Sequence, residues 1–123
     1  MARTVEVIDG KVRYDSHTLA EWVPEIVAQL TKVTEPRRII LFGSVARGDD
    51  GPDSDIDIMV VLDSLEYTER HEWMTRLRTA IEVPAPIQIF VTDERECSRR
   101  RDVIGSMHYW PLREGKVVFE RAS

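Results

Sequence analysis

A layered α/β (α+β) fold, a small mixed sheet flanked by helices, is predicted by three features of the sequence. Apolar runs of strand length stand at 38–42, 55–62 and 87–91, amphipathic helical segments alternate with them, and an Asp-Gly pair sits between β-prone runs at the N-terminus. The 123 residues fall in the size range of one domain, and no linker or low-complexity stretch divides them, so 1–123 reads as a single unit.

Val5-Glu6-Val7-Ile8 and Lys11-Val12-Arg13-Tyr14 flank Asp9-Gly10, which predicts a hairpin within 1–15. Leu19, Trp22, Val23, Ile26, Val27, Leu30 and Val33 follow the three-four spacing of one buried helix face. Pro24 interrupts that pattern, so the helix is expected to start close to it, with Ser16 or Thr18 capping an earlier turn. Residues 38–42 read as a strand buried on both faces, and 55–62 as a second. Trp73, Met74, Leu77, Ala80 and Ile81 then form the stripe of another helix, with Glu66 and Glu69 at its positive end and Arg76 and Arg78 near its negative end. The Val83-Pro84-Ala85-Pro86 stretch ends it, and 87–91 is a third strand. Asp93 and Glu96 suggest a capping box for a helix through Arg99-Arg100-Arg101. Residues 104–112 are expected to be helical but interrupted by Pro111, and Gly115 precedes a last strand at 116–120.

Composition narrows the function. At 42% hydrophobic and 32% charged the chain is an ordinary globular protein, and no apolar run approaches the ~20 residues that span a bilayer. The alternating N-terminus has no signal-peptide core, so a cytoplasmic location without membrane association is expected. Cys97 is the only cysteine, which excludes an internal disulfide and reads as a free thiol. The net charge of −5 argues against a broad nucleic-acid surface, with Arg37-Arg38 and Arg99-Arg100-Arg101 read as solvated ends or a protein contact. His17, His71 and His108 have no metal-ligand spacing, and Trp22 and Trp73 lie on helix stripes as packing residues. Met107-His108-Tyr109-Trp110 reads as packing, with a nucleobase pocket or a protein contact as the alternatives.

The chemistry lies in 41–61. Gly43 permits backbone conformations closed to other residues and close approach of a ligand, and Ser44 stands where a helix should start. Free N–H groups at a helix start suit a phosphate, while a serine cap without a ligand is the structural alternative. The absence of Gly-Lys-Ser/Thr excludes a P-loop. Asp55 and Asp57, two apart in a strand, project from one face roughly 6 to 7 Å apart along the chain, opposite Ile56, Ile58 and Val60. Five aspartates between Asp49 and Asp57 repel one another, a repulsion that magnesium with its hard-oxygen preference relieves. A solvated acidic loop is the alternative.

Taken together, Gly43-Ser44, Ala46-Arg47-Gly48 and Ser54-Asp55-Ile56-Asp57, each joined to an apolar strand, resemble the minimal nucleotidyltransferases of the DNA polymerase β superfamily. The likeness extends over 37–120 and includes the closing segment from Arg113 to Glu120, leaving the hairpin at 1–15 outside. It implies the polymerase β-like nucleotidyltransferase fold, triphosphate contacts at Gly43, Ser44 and Arg47, and Mg2+ ligation by Asp55 and Asp57. It further implies a third carboxylate in the middle of the strand after Pro86, where this chain has Gln88. An amide offers a metal one neutral oxygen and cannot act as a general base. Asp93 lies at that strand's end on the other face.

Small members of the family resemble the antitoxins of HEPN/MNT toxin–antitoxin pairs. The resemblance therefore implies transfer of AMP, or another nucleoside monophosphate, from ATP or another triphosphate to a hydroxyl, most simply on a HEPN-type toxin partner. A binding module weakened by Gln88 is the second reading, and transfer to a small molecule the third. Homo- and hetero-oligomers both stay open.

Overall fold

The computed structural model describes residues 4–122, so the first three residues of the expected 1–15 hairpin lie outside the described residues. Strands β1 (Val5–Ile8) and β2 (Lys11–Tyr14) form that hairpin, paired antiparallel from Val5↔Tyr14 to Ile8↔Lys11. Asp9 and Gly10 both take positive φ, 53° and 81°, the two-residue turn whose twist matches the strands it joins. A short β3 (His17–Thr18), not foreseen from sequence, adds to β2 and leads into helix α1 (Leu19–Thr31).

Helix α1 corrects the reading of Pro24. It starts five residues before the proline and runs through it, because Thr18 and Glu21 form a complete capping box that fixes the first turn. Leu19, Val23, Ile26 and Leu30 make its buried stripe. The helix ends at Thr31, before Val33, which is exposed.

The main sheet has the order β6-β5-β4-β7, with β4 (Arg38–Phe42), β5 (Ile56–Leu62), β6 (Ile87–Asp93) and β7 (Lys116–Glu120). Strands β5 and β6 run parallel, and the other pairs run antiparallel, a mixed sheet as expected. Strand β5 begins at Ile56 rather than Asp55, so Asp55 closes the preceding loop. Between β5 and β6, a 3-10 turn (Tyr67–Glu69) precedes helix α3 (Arg70–Ala80). Glu66 and Glu69 are thus the residues before these two helical starts, and of the predicted stripe only Leu77 is fully buried.

One sheet face packs on α1 and α3 through Ile39, Leu41, Ile56, Ile58, Val60, Ile89 and Val91. The other face carries Ile40, Met59 and Val61, which pack on Cys97, Met107 and Leu112. Cys97 lies in α4 (Glu94–Arg100), and burial pushes its thiol up to about 11, as befits an inert packing residue. Asp93 accepts from the Glu96 N–H, but Glu96 turns to Arg99 and Arg100, so the expected capping box is only half formed. The expected helix at 104–112 forms later, as α5 (Tyr109–Glu114), and Pro111 sits in its first turn, where it needs no intrahelical donor.

His108, at the start of α5, is buried with its Nε2 2.7 Å from Thr92 Oγ1. Burial pushes its imidazole below the ordinary histidine range, with Glu96 pulling the other way. Unfolding therefore takes up a proton as the pH falls through the ordinary value near ~6.5. This contribution is complete above that value and is lost on acidification. Thermal melts between about pH 7.5 and 5.5 should show a fall in Tm that is smaller in His108→Gln, and an equal fall in both proteins would count against it.

Candidate active site

Three segments meet on the second sheet face, beyond the part covered by α4 and α5. Strand β4 turns into the short helix α2 (Gly43–Arg47) at Gly43, whose φ is +76°. A Cβ at this position would collide with Oδ2 of Asp57 and lie 3.2 Å from its Cγ. Only glycine therefore lets the main chain lie against that carboxylate. Ser44 follows within the first turn, and no side chain caps the start of the helix, so its leading N–H groups are free of side-chain acceptors.

Asp57 alternates with the buried Ile56 and Ile58, which turns its side chain away from the core. It is half-buried, and its carboxyl is pushed above the ordinary aspartate range by that burial and then by the charge of Asp55, with Arg47 opposing. Such a pair, partly desolvated and mutually repelling, suits a divalent cation with oxygen preference, and an amide oxygen beside it can add to the donor set. Among the described residues no third His, Cys, Asp or Glu joins the two to make a metal-binding cluster.

Gln88, on the neighbouring parallel strand, stands beside the two aspartates. The parallel register sets it opposite Asp57, and its Nε2 donates to Asp55 Oδ2 at 3.1 Å. Asp93 is elsewhere, buried, accepting from the backbone N–H of Leu65 and of Glu96. The structure thus brings Gly43, Ser44, Arg47, Asp55, Asp57 and Gln88 into one neighbourhood.

The acidic loop is less uniform than its composition suggested. Asp49 pairs with Arg47 at 3.2 Å, Asp50 is buried against Lys11 at 2.8 Å and Asp53 is exposed, which leaves Asp57 beside Gly43 with Asp55 next to it. Arg47 also lines a cleft of about 390 Å³ with Phe42, Gly43, Trp110 and Glu114. Trp110 is 57% exposed there, edge-to-face with Tyr109, which stacks beneath the Arg113 guanidinium, whereas Met107 packs on the sheet. Trp22 donates to the carbonyl of Tyr14 and Trp73 lies under Arg76, both as packing residues. The sequence assigns no role to Glu114, which lies in the closing segment of the resemblance, nor to Lys11 in the hairpin.

Asp57 at the start of β5, Asp55 just before it and Gln88 on the parallel β6 thus share one end of the sheet with the Gly43-Ser44 turn. The chain matches the family model for the nucleotidyltransferase domain over residues 20–110 and belongs to that family, whose members transfer a nucleoside monophosphate from a triphosphate. Its fold is similar to that of a Sulfolobus solfataricus protein provisionally assigned as a nucleotidyltransferase. The two share 23% identity with a TM-score of 0.62, over 84% of this chain and 81% of the other. No curated protein matches the chain at a comparable level. Among the described residues no helix is long and apolar enough to cross a membrane.

Proposed function

We propose that the chain transfers AMP from Mg·ATP to a hydroxyl on a partner protein of the HEPN toxin type, the hydroxyl oxygen bonding the α-phosphate as the α–β bond breaks and pyrophosphate leaves, and so acts as an antitoxin. The observation that carries the nucleotide half of this reading is the contact between the Gly43 main chain and the Asp57 carboxylate, with Asp55 alongside. In this reading the triphosphate lies between the start of α2 and the two aspartates, and the nucleoside extends toward Phe42 and Trp110. Asp55 and Asp57 would hold magnesium, which when bound would supply neutralisation of the phosphate charge. The chain's own contribution is positioning: Gly43 and Ser44 orient the phosphates, Arg47 adds positive charge, and Gln88 holds Asp55. A protein acceptor is supported by the resemblance to antitoxins and by the net charge of −5, which disfavours a nucleic-acid acceptor.

A second reading is favoured by one contact. Because the Gln88 amide donates to Asp55 where a third acid would stand, in this reading the chain lacks a base beside the acceptor and serves chiefly to bind nucleotide and partner.

Mg·ATP should raise the Tm of the wild-type protein, since a ligand of the native state stabilises it. Asp57→Asn should abolish that shift; an undiminished shift in the variant would remove Asp57 from the nucleotide site. Incubation with labelled ATP, magnesium and a HEPN-type partner protein, followed by mass spectrometry, then tests transfer. A mass increase of one AMP on the partner supports the enzyme, and nucleotide binding without transfer supports the binding module.

A further inference from the structure

We infer that Lys11 is a positioning residue for the nucleotide site, although it belongs to the N-terminal hairpin and lies outside the stretch that matches the family model. The inference rests on the nucleotide reading above. Its Nζ donates to the carbonyl of Gly48 at 3.0 Å and to Asp50 Oδ1 at 2.8 Å. Gly48 closes α2 in the left-handed conformation, so the first bond holds the far end of the helix that begins at Gly43-Ser44. Asp50 stands five residues before Asp55, so the second holds the loop that delivers the carboxylate pair. One ammonium group thus ties the phosphate turn to the metal-facing segment.

The burial of Asp50 shows how much depends on this contact. Asp50 is only 7% exposed, and its Oδ2 is buried with no partner. A buried carboxylate requires a compensating charge, and Arg47, the nearby alternative, is paired with Asp49. Without Lys11, Asp50 has to turn toward solvent and carry the loop with it. The remainder of that loop is held by short local bonds, Gly51 N–H to Ser54 Oγ and Ser54 N–H to the Gly51 carbonyl, which transmit the position of Asp50 toward Asp55. The lysine is itself well placed: it leaves the Asp9-Gly10 turn directly, its neighbour Val12 is buried in the main core, and Trp22 Nε1 bonds the carbonyl of Tyr14. The hairpin therefore behaves as a brace whose working end is one lysine.

The test compares wild type, Lys11→Met and Lys11→Arg by hydrogen exchange without ligand and by calorimetric titration with Mg·ATP. Lys11→Met should speed exchange of the peptide 48–56 while leaving α1, β4 and β6 protected, and should weaken Mg·ATP binding by about fivefold or more. Lys11→Arg, which keeps a donor and a positive charge, should recover most of both. In an Asp50→Asn background, Lys11→Met should have little further effect on affinity. Uniformly faster exchange throughout the chain, unchanged exchange at 48–56, or unchanged affinity would each overturn the positioning role while leaving the nucleotide reading intact. A wild-type protein that shows no response to Mg·ATP overturns the nucleotide reading, and the role of Lys11 falls with it whatever the exchange shows.

Discussion

Gly43→Ala is expected to abolish Mg·ATP binding and also to lower the Tm of the free protein. The two effects have separate origins at one atom. The backbone of Gly43, at φ +76°, lies in the region where a side chain costs about 1–2 kcal/mol, and for a chain of this size that corresponds to a loss of roughly 3–12 °C. The added methyl also has to occupy the space of Asp57 Oδ2. Either the carboxylate swings away from Asp55, which breaks up the candidate metal site, or the Gly43-Ser44 turn retreats from the sheet and takes the phosphate seat with it. Both responses act on the ligand site, so a variant whose nucleotide response remained wild-type in thermal shift would show that triphosphate binds elsewhere. Gly48→Ala is the useful control. Its φ is +81° and it carries the same backbone penalty, but a Cβ there meets nothing within 4 Å. It should lose stability comparably and keep far more of its affinity.

That contrast also shows what could and could not be read from sequence. Apolar run length and the spacing of Leu19, Val23, Ile26 and Leu30 sufficed for the strands and the first helix, because burial imposes a period that survives in the residue types. Pro24 misled because its position within a helix depends on where the cap is set, and the reciprocal bonds of Thr18 and Glu21 outweigh the missing donor. Asp93 misled in a milder way: its cap forms, but Glu96 finds two arginines more accessible than the backbone. A Gly-Ser turn after one strand and aspartates two apart at the start of the next are local patterns, so the approach of Gly43 to Asp57 was legible, although Asp55 lies just before the strand rather than in it. The partners of Asp50 were not, since a lysine 39 residues away reaches it only through the docking of the hairpin. Five aspartates within nine residues likewise read as one repelling group, whereas Asp49 pairs locally with Arg47, Asp50 reaches Lys11, Asp53 is exposed and only Asp55 and Asp57 stand together.

Gln88→Asp should separate the enzyme from the binding module. The strand register places residue 88 opposite Asp57, and its amide already reaches Asp55, so an aspartate in its place can approach the same region with its shorter side chain. Two consequences oppose each other. Without magnesium, the substitution exchanges a donated hydrogen bond for a third negative charge beside Asp55 and Asp57, and the metal-free protein should melt at a lower temperature. With magnesium that charge becomes an additional ligand and a base near the acceptor, whose assistance is typically worth about 10²–10⁴-fold in rate. Transfer to the partner should therefore rise by a factor in that range, while Mg·ATP affinity changes much less, because in the proposed site Gly43, Ser44, Asp55 and Asp57 already contribute most of it. If wild type transfers AMP as fast as the variant, Gln88 is no handicap and the partner provides its own base. If both bind nucleotide and neither transfers it, the missing base is not what limits the chain, and its function lies in binding.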